Sequence, residues 1–312
     1  MPPDLRDILD QAHASLAPDN AIQAMHALSQ ALRDRRTSLG EAEWDELMRD
    51  AREHPLAALL REDPLTDRAR ARPRGYPGDA VAMDFMYAGM PSAIRQTTSR
   101  LGRAVFAYTA GCSAAAVAVR QRRNTLSLAI DEVASSVSGA RVMAAGCGHL
   151  REARLSRAVT SGTLGELVAL DGDREHLRVV SREFGPATKV KTVFAGVAEV
   201  AAGKLQLGGF DLVYSAGLFE RLDDGEARAV TAALLHTLRP GGRLLISNFV
   251  DGFLAHELMQ AFMDWKLACR DETQLLGLAG EVSQRARMGA RAWRDATGCL
   301  AWLEIRRPGG AD

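Results

Sequence analysis

The chain has few cysteines and no spacing that would bring them together. Its four cysteines, Cys112, Cys147, Cys269 and Cys299, form no C-x-x-C pair, which argues against a zinc site and against a disulfide framework. An excess of charge of one sign is also absent, because Lys plus Arg and Asp plus Glu both number 39. Such a chain has no overall attraction to nucleic acid or to an anionic membrane. We therefore predict no bound metal, no nucleic-acid partner and no membrane partner.

Long apolar runs and aromatic residues are scarce as well. No apolar run approaches the roughly 18 residues that span a bilayer. The first residues include Pro2, Pro3 and Asp4 where a secretory signal would have a basic region followed by an apolar run, so we expect a cytoplasmic location. Four alternating arginines at positions 68, 70, 72 and 74 lack the interleaved aromatic residues of a nucleic-acid groove.

Helical periodicity dominates the first part of the chain. Apolar residues recur at helical spacing over residues 5–60, and residues 80–87 and 91–133 again favour helix. Residues 64–77 are dense in Pro, Gly and Arg, which predicts a loop. We therefore divide the chain into a helical N-terminal segment and active-site cover over residues 1–133, and a nucleotide-binding domain over residues 134–312.

The most informative stretch is RVMAAGCGHLRE, residues 141–152. A short apolar run leads into Gly146-x-Gly148, which is typical of a buried strand that passes through a tight turn to a helix. We predict that this helix starts near His149, where its free N–H groups would face a ligand over the turn. Because glycines end many strands for structural reasons alone, the motif needs further support.

That support comes from an acidic residue and from further strands. Asp171 ends a second apolar run about 20 residues later, where a carboxylate can accept both ribose hydroxyl groups of a nucleoside. Residues 189–194, 210–215 and 242–249 predict three more strands, and residues 225–238 predict an intervening helix. Alternating strands and helices indicate an α/β fold with a Rossmann-like, doubly wound parallel sheet.

Two nucleotide-binding classes fit this pattern, a dinucleotide-dependent oxidoreductase and a class I S-adenosylmethionine-dependent methyltransferase. The chain resembles the second class in three features: AAGCG at 144–148 without a third glycine, LRPGGRLL at 238–245 before the fifth strand, and a C-terminal antiparallel hairpin around residues 295–298. The resemblance implies S-adenosyl-L-methionine as cofactor and a small-molecule substrate.

A narrower resemblance covers residues 54–306. The chain is similar to bacterial proteins of the extracellular factor group, associated with 3-hydroxypalmitic acid methyl ester biosynthesis and so with secondary metabolism. The motifs that carry this likeness are Pro64, RPRGYPGDA at 72–80, Asp84, Tyr87, GHLRE at 148–152, YSAGLF at 214–219, Asn248-Phe249 and FMDW at 262–265.

The candidate site residues follow from these motifs. Arg74, Tyr76 and Asp79 exceed what a Pro-Gly turn needs, so we expect them to hold the methionine end of the cofactor or to roof the site. The alternative is a hydrogen-bonded brace between the helical segment and the nucleotide-binding domain. Tyr214 and Asn248, at strand ends, are with Tyr76 the predicted catalytic residues, although a core tyrosine that only satisfies its hydroxyl group is an alternative for Tyr214. The predicted cofactor-binding set is Arg74, Asp79, Gly146, Gly148, His149, Asp171, Gly172, Gly196 and Ser215.

Departures from the extracellular factor pattern leave the reaction open. The chain has Glu220-Arg221 where that group has Asp-Tyr, it has Leu-Met-Gln at 258–260 where the group has Tyr-Met-Glu, and it lacks the tyrosine before Arg270. These positions would shape the second-substrate pocket. The main hypothesis is a methyltransferase acting on a small metabolite such as a carboxylate. The alternatives are an enzyme that cyclises S-adenosylmethionine to azetidine-2-carboxylate and methylthioadenosine, and a non-catalytic S-adenosylmethionine-binding protein.

Overall fold

The computed structural model describes residues 5–185, 188–204, 206–285 and 287–309, and these form two compact units. The helical unit is Met1–Arg120 with Gly252–Lys266, and the sheet unit is Gln121–Asp251 with Leu267–Asp312. The helices, in chain order, are α1 Leu5–Ser15, α2 Ala21–Arg36, α3 Glu41–Glu53, α4 Pro55–Leu60, α5 Pro64–Ala71, α6 Ala80–Ala88, α7 Ser92–Thr97, α8 Arg100–Phe106, α9 Ala114–Ser136, α10 Arg157–Thr160, α11 Arg174–Glu183, α12 Val197–Ala201, α13 Asp224–His236, α14 His256–Leu258 and α15 Glu272–Arg285.

The predicted domain boundary at residue 133 differs from this division. Helix α9 continues through residue 133 without a break, so no linker separates the units there. Residues 252–266 belong to the helical unit because their apolar side chains, among them Leu258 and Phe262, pack in one core with Trp44 and Met48. The predicted boundary placed this segment in the second domain, because the segment follows residue 133 in the chain.

The N-terminal helices confirm the periodicity seen in the sequence. Leu9 of α1, Leu32 of α2 and Met48 of α3 are buried in a common core. Residues 64–77, in contrast, are not a continuous loop. Pro64 starts α5, and the carboxylate of Asp63 caps this helix by accepting from the N–H groups of Leu65 and Thr66. Proline fits the first turn of a helix, so its presence did not indicate a loop here.

The helical region predicted over residues 91–133 is interrupted. Helix α8 runs into a π-helical segment, Ala107–Cys112, and Ser113 adopts an extended conformation before α9. Within the described residues no single helix is long and apolar enough to cross a membrane. Only Arg100–Cys112 and Ala114–Ser136 taken together, bent by 47°, reach that length and composition.

The sheet unit contains seven strands in the order β3-β2-β1-β4-β5-β7-β6. Strands β1 to β5 pair in parallel, and β7 is antiparallel to both β5 and β6. The strand bounds are β1 Arg141–Ala145, β2 Glu166–Asp171, β3 Val190–Phe194, β4 Phe210–Ser215, β5 Leu238–Phe249, β6 Gly289–Arg294 and β7 Leu300–Arg306. The predicted Rossmann-like sheet and the C-terminal hairpin are thus confirmed.

Both faces of the sheet are covered, which explains the near-continuous apolar runs of its central strands. Met143 and Val213 pack on one face with α13 and α15, whereas Val142 and Leu212 pack on the other with α9 and α11. The carboxyl ends of β1 and β4 lie side by side in the middle of the sheet. The strand order reverses here, because β2 and β3 lie on one side of β1 whereas β4 and β5 lie on the other. Ligands of open α/β sheets bind at such a position.

Candidate functional site

The turn after β1 is tight but does not lead into a helix. Gly146 and Gly148 have φ of +68° and +53°, a region that glycine enters without strain. The predicted helix start at His149 is wrong: residues 149–155 form successive turns, and Leu150 itself has φ of +53°. The next helix is α10, only four residues long. Any polar groups that this turn offers to a ligand are therefore those of its own backbone and not of a helix terminus.

Asp171 joins this turn to the end of β2. The N–H of Gly148 donates to Asp171 Oδ2 over 2.8 Å, and the N–H of Asp173 donates to Oδ1 over 2.8 Å. The N–H groups of Gly146 and Cys147 donate to the carbonyl of Leu170. A carboxylate oxygen offers two acceptor positions, so Oδ2 of Asp171, which accepts only from Gly148 in these contacts, can still accept from a hydroxyl group. The residue is 8 % exposed, which keeps the carboxylate in a fixed, nearly dry position.

Two histidines pack beside this carboxylate. His176 Nδ1 lies 3.2 Å from Asp171 Oδ1, and because a carboxylate only accepts, Nδ1 carries the hydrogen in this bond. The rings of His149 and His176 meet edge to face with centroids 5.4 Å apart. His176 thus orients Asp171, and His149 is brought to the same edge of the sheet. His149 was predicted from the sequence, whereas His176 was not. The sequence signal for His176 is its position in the first turn of the helix that follows the acid.

The remaining predicted cofactor residues of this unit lie at the same edge. A Cβ atom on Gly172 would come within 3.3 Å of Gly196 Cα, so the backbones after β2 and β3 approach closely. Ser215, the last residue of β4, donates its hydroxyl to the carbonyl of Ala145 over 2.9 Å. That bond ties the end of β4 to the end of β1.

Cys147 stands inside the glycine turn, where its surroundings disfavour the thiolate. Burial raises the pKa of the Cys147 thiol well above its ordinary value, and the negative charges of Asp171 and Glu152 raise it further. The thiol is therefore protonated at neutral pH.

Tyr214 contacts a buried acid. Its hydroxyl donates to Glu152 Oε1 over 2.6 Å, and Tyr214 and Glu152 are 1 % and 5 % exposed. Burial raises the pKa of Glu152, while the hydrogen bond from Tyr214 and the charge of Arg122 lower it. The ring of Tyr214 packs in the core on the α9 and α11 face of the sheet. This geometry fits the alternative in which Tyr214 is a core residue that satisfies its hydroxyl group.

Asn248 is held between backbone groups near the end of β5. Its side-chain amide donates to the carbonyls of Phe249 and Ala268, over 2.9 Å and 2.7 Å. Arg270, which is 3 % exposed, reaches Asn248 Oδ1 at 3.4 Å and the carbonyls of Phe219 and Leu222 at 2.7 Å each. Asn248 and Arg270 together fix the segment between β4 and α13. These contacts satisfy the side chain of Asn248 within the fold, and its catalytic role stays a prediction.

Glu220, one of the departures from the extracellular factor pattern, forms a buried ion pair. Arg122 Nη1 lies 2.5 Å from Glu220 Oε1, and the two side chains are 2 % and 8 % exposed. Burial raises the pKa of Glu220, and the charge of Arg122 opposes that shift. The Arg122 guanidinium also lies over the ring of Phe249, 5.7 Å from its centroid. Glu220 is thus paired and held inside the sheet unit.

The RGYPGD loop is anchored within the helical unit. Arg68 forms a bidentate pair with Asp79, at 2.8 Å and 2.6 Å, and Asp79 also caps α6 through the N–H of Ala82. Asp79 is 1 % exposed, whereas Tyr76 is half-buried and Arg74 exposed. These contacts of Asp79 lie within the helical unit, so the roles expected for this loop stay predictions.

The same loop packs on the FMDW motif of the narrower resemblance. A Cβ atom on Gly78 would come within 2.0 Å of the Trp265 ring, so the ring lies directly against this glycine. Arg72 Nη2 donates to the carbonyl of Asp264 over 2.7 Å. The RGYPGD loop and the FMDW motif therefore form one structural element, although Arg72 and Asp264 are 192 residues apart in the chain.

The fold is similar to that of several solved structures. A possible exported protein from Bordetella parapertussis superposes with a TM-score of 0.62 at 19% identity, over 88% of this chain and 99% of that one. A magnesium protoporphyrin IX methyltransferase from Synechocystis with bound S-adenosylhomocysteine gives a TM-score of 0.46 at 14% identity, over 62% and 86%. An O-methyltransferase family protein from Burkholderia thailandensis gives 0.46 at 18% identity, over 70% and 63%. No protein-family model and no curated protein matches the sequence. At these identities the likeness shows the fold alone.

Proposed function

We propose that this chain is an S-adenosylmethionine-dependent methyltransferase that acts on a small metabolite, with a carboxylate as the expected acceptor group. The proposal rests on the fixed Asp171 carboxylate, which accepts from the N–H groups of Gly148 and Asp173 at the carboxyl end of β2, beside the turn after β1. A buried acid that is oriented in this way and retains an acceptor position at Oδ2 suits a ribose hydroxyl group.

The other residues at this edge fit the same ligand. Positive φ at Gly146 and Gly148 leaves bare backbone beside the acid, where an extended ligand can lie close to the chain. The close approach of Gly172 to Gly196 leaves the backbone after β2 and β3 without side chains that would fill this space. His176 holds Asp171, and Ser215 holds the end of β4 against β1.

Methyl transfer requires little covalent chemistry from the protein. S-adenosylmethionine, when bound, supplies a methyl group that its sulfonium already activates. The chain's own residues then need to orient the two reactants and to exclude water. Asp171 binds and orients, Glu152 and Tyr214 hold the glycine turn, and Asn248 with Arg270 holds the segment after β4. The assignment of Arg74, Tyr76 and Asp79 to the cofactor stays a prediction.

Calorimetric titration with S-adenosylmethionine and S-adenosylhomocysteine tests the cofactor. Asp171→Asn removes the charge from the ribose acceptor, so we expect about tenfold or weaker binding. Asp173→Asn is the matched control, because asparagine keeps the cap on Glu175 and leaves the bond between Asp171 and Gly148 intact. Equal affinity of Asp171→Asn and the native protein contradicts the proposal.

The nucleoside product separates the reactions. We expect no turnover of S-adenosylmethionine alone and S-adenosylhomocysteine once a methyl acceptor from a panel of small carboxylic acids is added. Methylthioadenosine formed from the cofactor alone would establish the cyclase instead. Tight binding without any product, with the acceptor panel exhausted, supports the non-catalytic alternative.

A further inference from the structure

An arginine cluster surrounds a single carboxylate in the helical unit. Arg72 Nη2 lies 2.5 Å from Asp264 Oδ2, Arg70 Nη1 lies 3.4 Å from the same oxygen, and Arg52 Nη1 lies 3.4 Å from Oδ1. We call Arg52, Arg70, Arg72 and Asp264 the arginine cluster. Three positive charges and one negative charge leave an excess of two positive charges at this place.

Different elements of the helical unit converge to form the cluster. Arg52 projects from α3, Arg70 from the last turn of α5, and Arg72 is the residue that ends α5. Asp264 ends the π-helical turn Met259–Met263, and both Arg72 and Asp264 have φ of +49°. Left-handed backbone costs free energy for these residue types, so the packing of this unit holds the two side chains in place.

The neighbouring charges of Arg49 and Asp45 act on the cluster residue Arg52 in opposite directions. Arg70 forms no other ion pair among the described residues, and neighbouring Lys266 and Asp45 compensate each other at 2.5 Å. Burial lowers the pKa of Arg52, Asp264 raises it, and the charges of Arg70 and Arg49 lower it again, as expected for a crowded positive site.

The cluster also has unused donors and access to solvent. A guanidinium has five N–H donors, whereas Arg70 uses one nitrogen and Arg72 uses one nitrogen in the contacts described above. The side chains of Arg70, Arg72 and Asp264 are 34%, 37% and 27% exposed. Planar donor forks grouped around an excess of two charges match a tetrahedral oxyanion in charge and in hydrogen-bond geometry.

We propose that Arg52, Arg70 and Arg72 form a binding site for a phosphate-type dianion, either free phosphate or the phosphate group of a metabolite. The dianion brings the charge of the cluster to zero, and Asp264 serves to space and orient the arginines. This site lies in the helical unit and does not depend on the proposed methyltransferase activity.

Thermal unfolding of the full chain in inorganic phosphate tests the site, with sodium chloride added to keep the ionic strength constant. We expect a saturable rise in the melting temperature. Arg70→Gln should weaken the apparent affinity about tenfold, because it removes one charged donor fork. Arg61→Gln is the matched control, since Arg61 is an exposed arginine paired with Asp67 at 2.8 Å and should leave the phosphate response unchanged.

A second variant changes the response in the opposite direction. Asp264→Asn removes the competing negative charge, and asparagine tolerates the left-handed conformation, so phosphate should bind more tightly. Comparing inorganic phosphate with glycerol phosphate distinguishes the free ion from an esterified group. The proposal fails if phosphate stabilises the protein no more than chloride at equal ionic strength, or if Arg70→Gln and Asp264→Asn both retain the native affinity.

Discussion

The hydroxyl group of Tyr214 donates to Oε1 of Glu152 over 2.6 Å, and both side chains are almost completely buried. The bond joins the fourth strand to the turns that follow the first strand. A phenol and a carboxylic acid in this arrangement stabilise each other, and the loss of one leaves the other buried with an unmet hydrogen bond.

Tyr214→Phe should therefore lower the free energy of unfolding by about 1–3 kcal/mol. Burial raises the pKa of Glu152 and the bond from Tyr214 lowers it, so the variant raises that pKa further. A carboxyl group whose folded pKa is raised, such as that of Glu152, loses its contribution to the free energy of unfolding as pH rises through that pKa. The destabilisation caused by Tyr214→Phe should therefore be larger at alkaline pH than at acidic pH. Urea titrations at several pH values measure this. Tyr108→Phe is the control, because the Tyr108 hydroxyl contacts the neutral Ser29 at 2.8 Å.

Asp63 makes the helical unit sensitive to pH. Burial raises the pKa of this carboxyl group to about 6, although Thr66, Leu65 and Thr109 donate to it. Because the folded pKa exceeds the unfolded value of 3.8, the stability that it contributes is complete below that value and is lost as pH rises through about 6. The shift corresponds to roughly 3 kcal/mol between these limits.

Asp63→Asn should flatten this part of the pH dependence, measured as the free energy of unfolding between acidic and neutral pH. Asp67→Asn, an exposed acid paired with Arg61, should retain the native profile. An unchanged slope in Asp63→Asn would show that other groups cause the dependence.

Gly78 has no room for a side chain. Gly78→Ala places a methyl group within 2.0 Å of the Trp265 ring at φ of +68°. Gly75→Ala, at φ of +84° with no atom within 4 Å, carries only the cost of the left-handed conformation. We expect Gly78→Ala to destabilise the protein by about 1–3 kcal/mol more than Gly75→Ala, as thermal or urea unfolding will measure. Equal losses in the two variants would mean that Trp265 moves aside freely.

Glu220 neutralises a buried guanidinium. Glu220→Ala leaves Arg122 charged and buried, with an expected loss of about 3–5 kcal/mol in the free energy of unfolding. Glu272→Ala breaks the more exposed pair with Arg294 and should cost about 0–1 kcal/mol. Chemical denaturation of both variants provides the comparison, and a loss below about 1 kcal/mol for Glu220→Ala would contradict burial of the pair.

Tyr76 tests the role expected for the RGYPGD loop. Tyr76→Phe should lower turnover while the melting temperature stays nearly unchanged, because the half-buried ring is retained. Kinetics with the acceptor identified from the panel, and calorimetry for stability, separate the two properties. A large loss of stability with native activity per folded molecule would favour a bracing role.

The parallel strands could be predicted from the sequence because each central strand is a short apolar run with a clear end, whereas their order in the sheet was not predicted. The acid at Asp171 and the glycines at 146 and 148 were found for the same reason: their residue types suit a strand end. Local conformation was harder to predict. Pro64 was predicted to lie in a loop, but Asp63 caps a helix that begins at Pro64. The positive φ of Leu150, which is incompatible with the expected helix, could not be recognised from the residue types.

Side-chain contacts between separate elements could not be predicted from the sequence for a different reason. His176 orients Asp171, Glu152 contacts Tyr214, and Asp264 gathers three arginines, but these partners come from separate elements. The Arg72 and Asp264 pair joins residues 192 positions apart. Periodicity reports which face of an element is buried, not which distant side chain it meets.

The position of β7 bears on how the chain is made. This strand follows all the others in the described sequence, yet it lies between β5 and β6 and pairs with β5 along Arg243–Phe249. During synthesis on the ribosome, the edge of β5 that pairs with β7 therefore stays unpaired until residues 300–306 emerge. An open edge of this kind recruits strands from other chains. Translation that stalls shortly before Leu300 thus yields a product prone to aggregation.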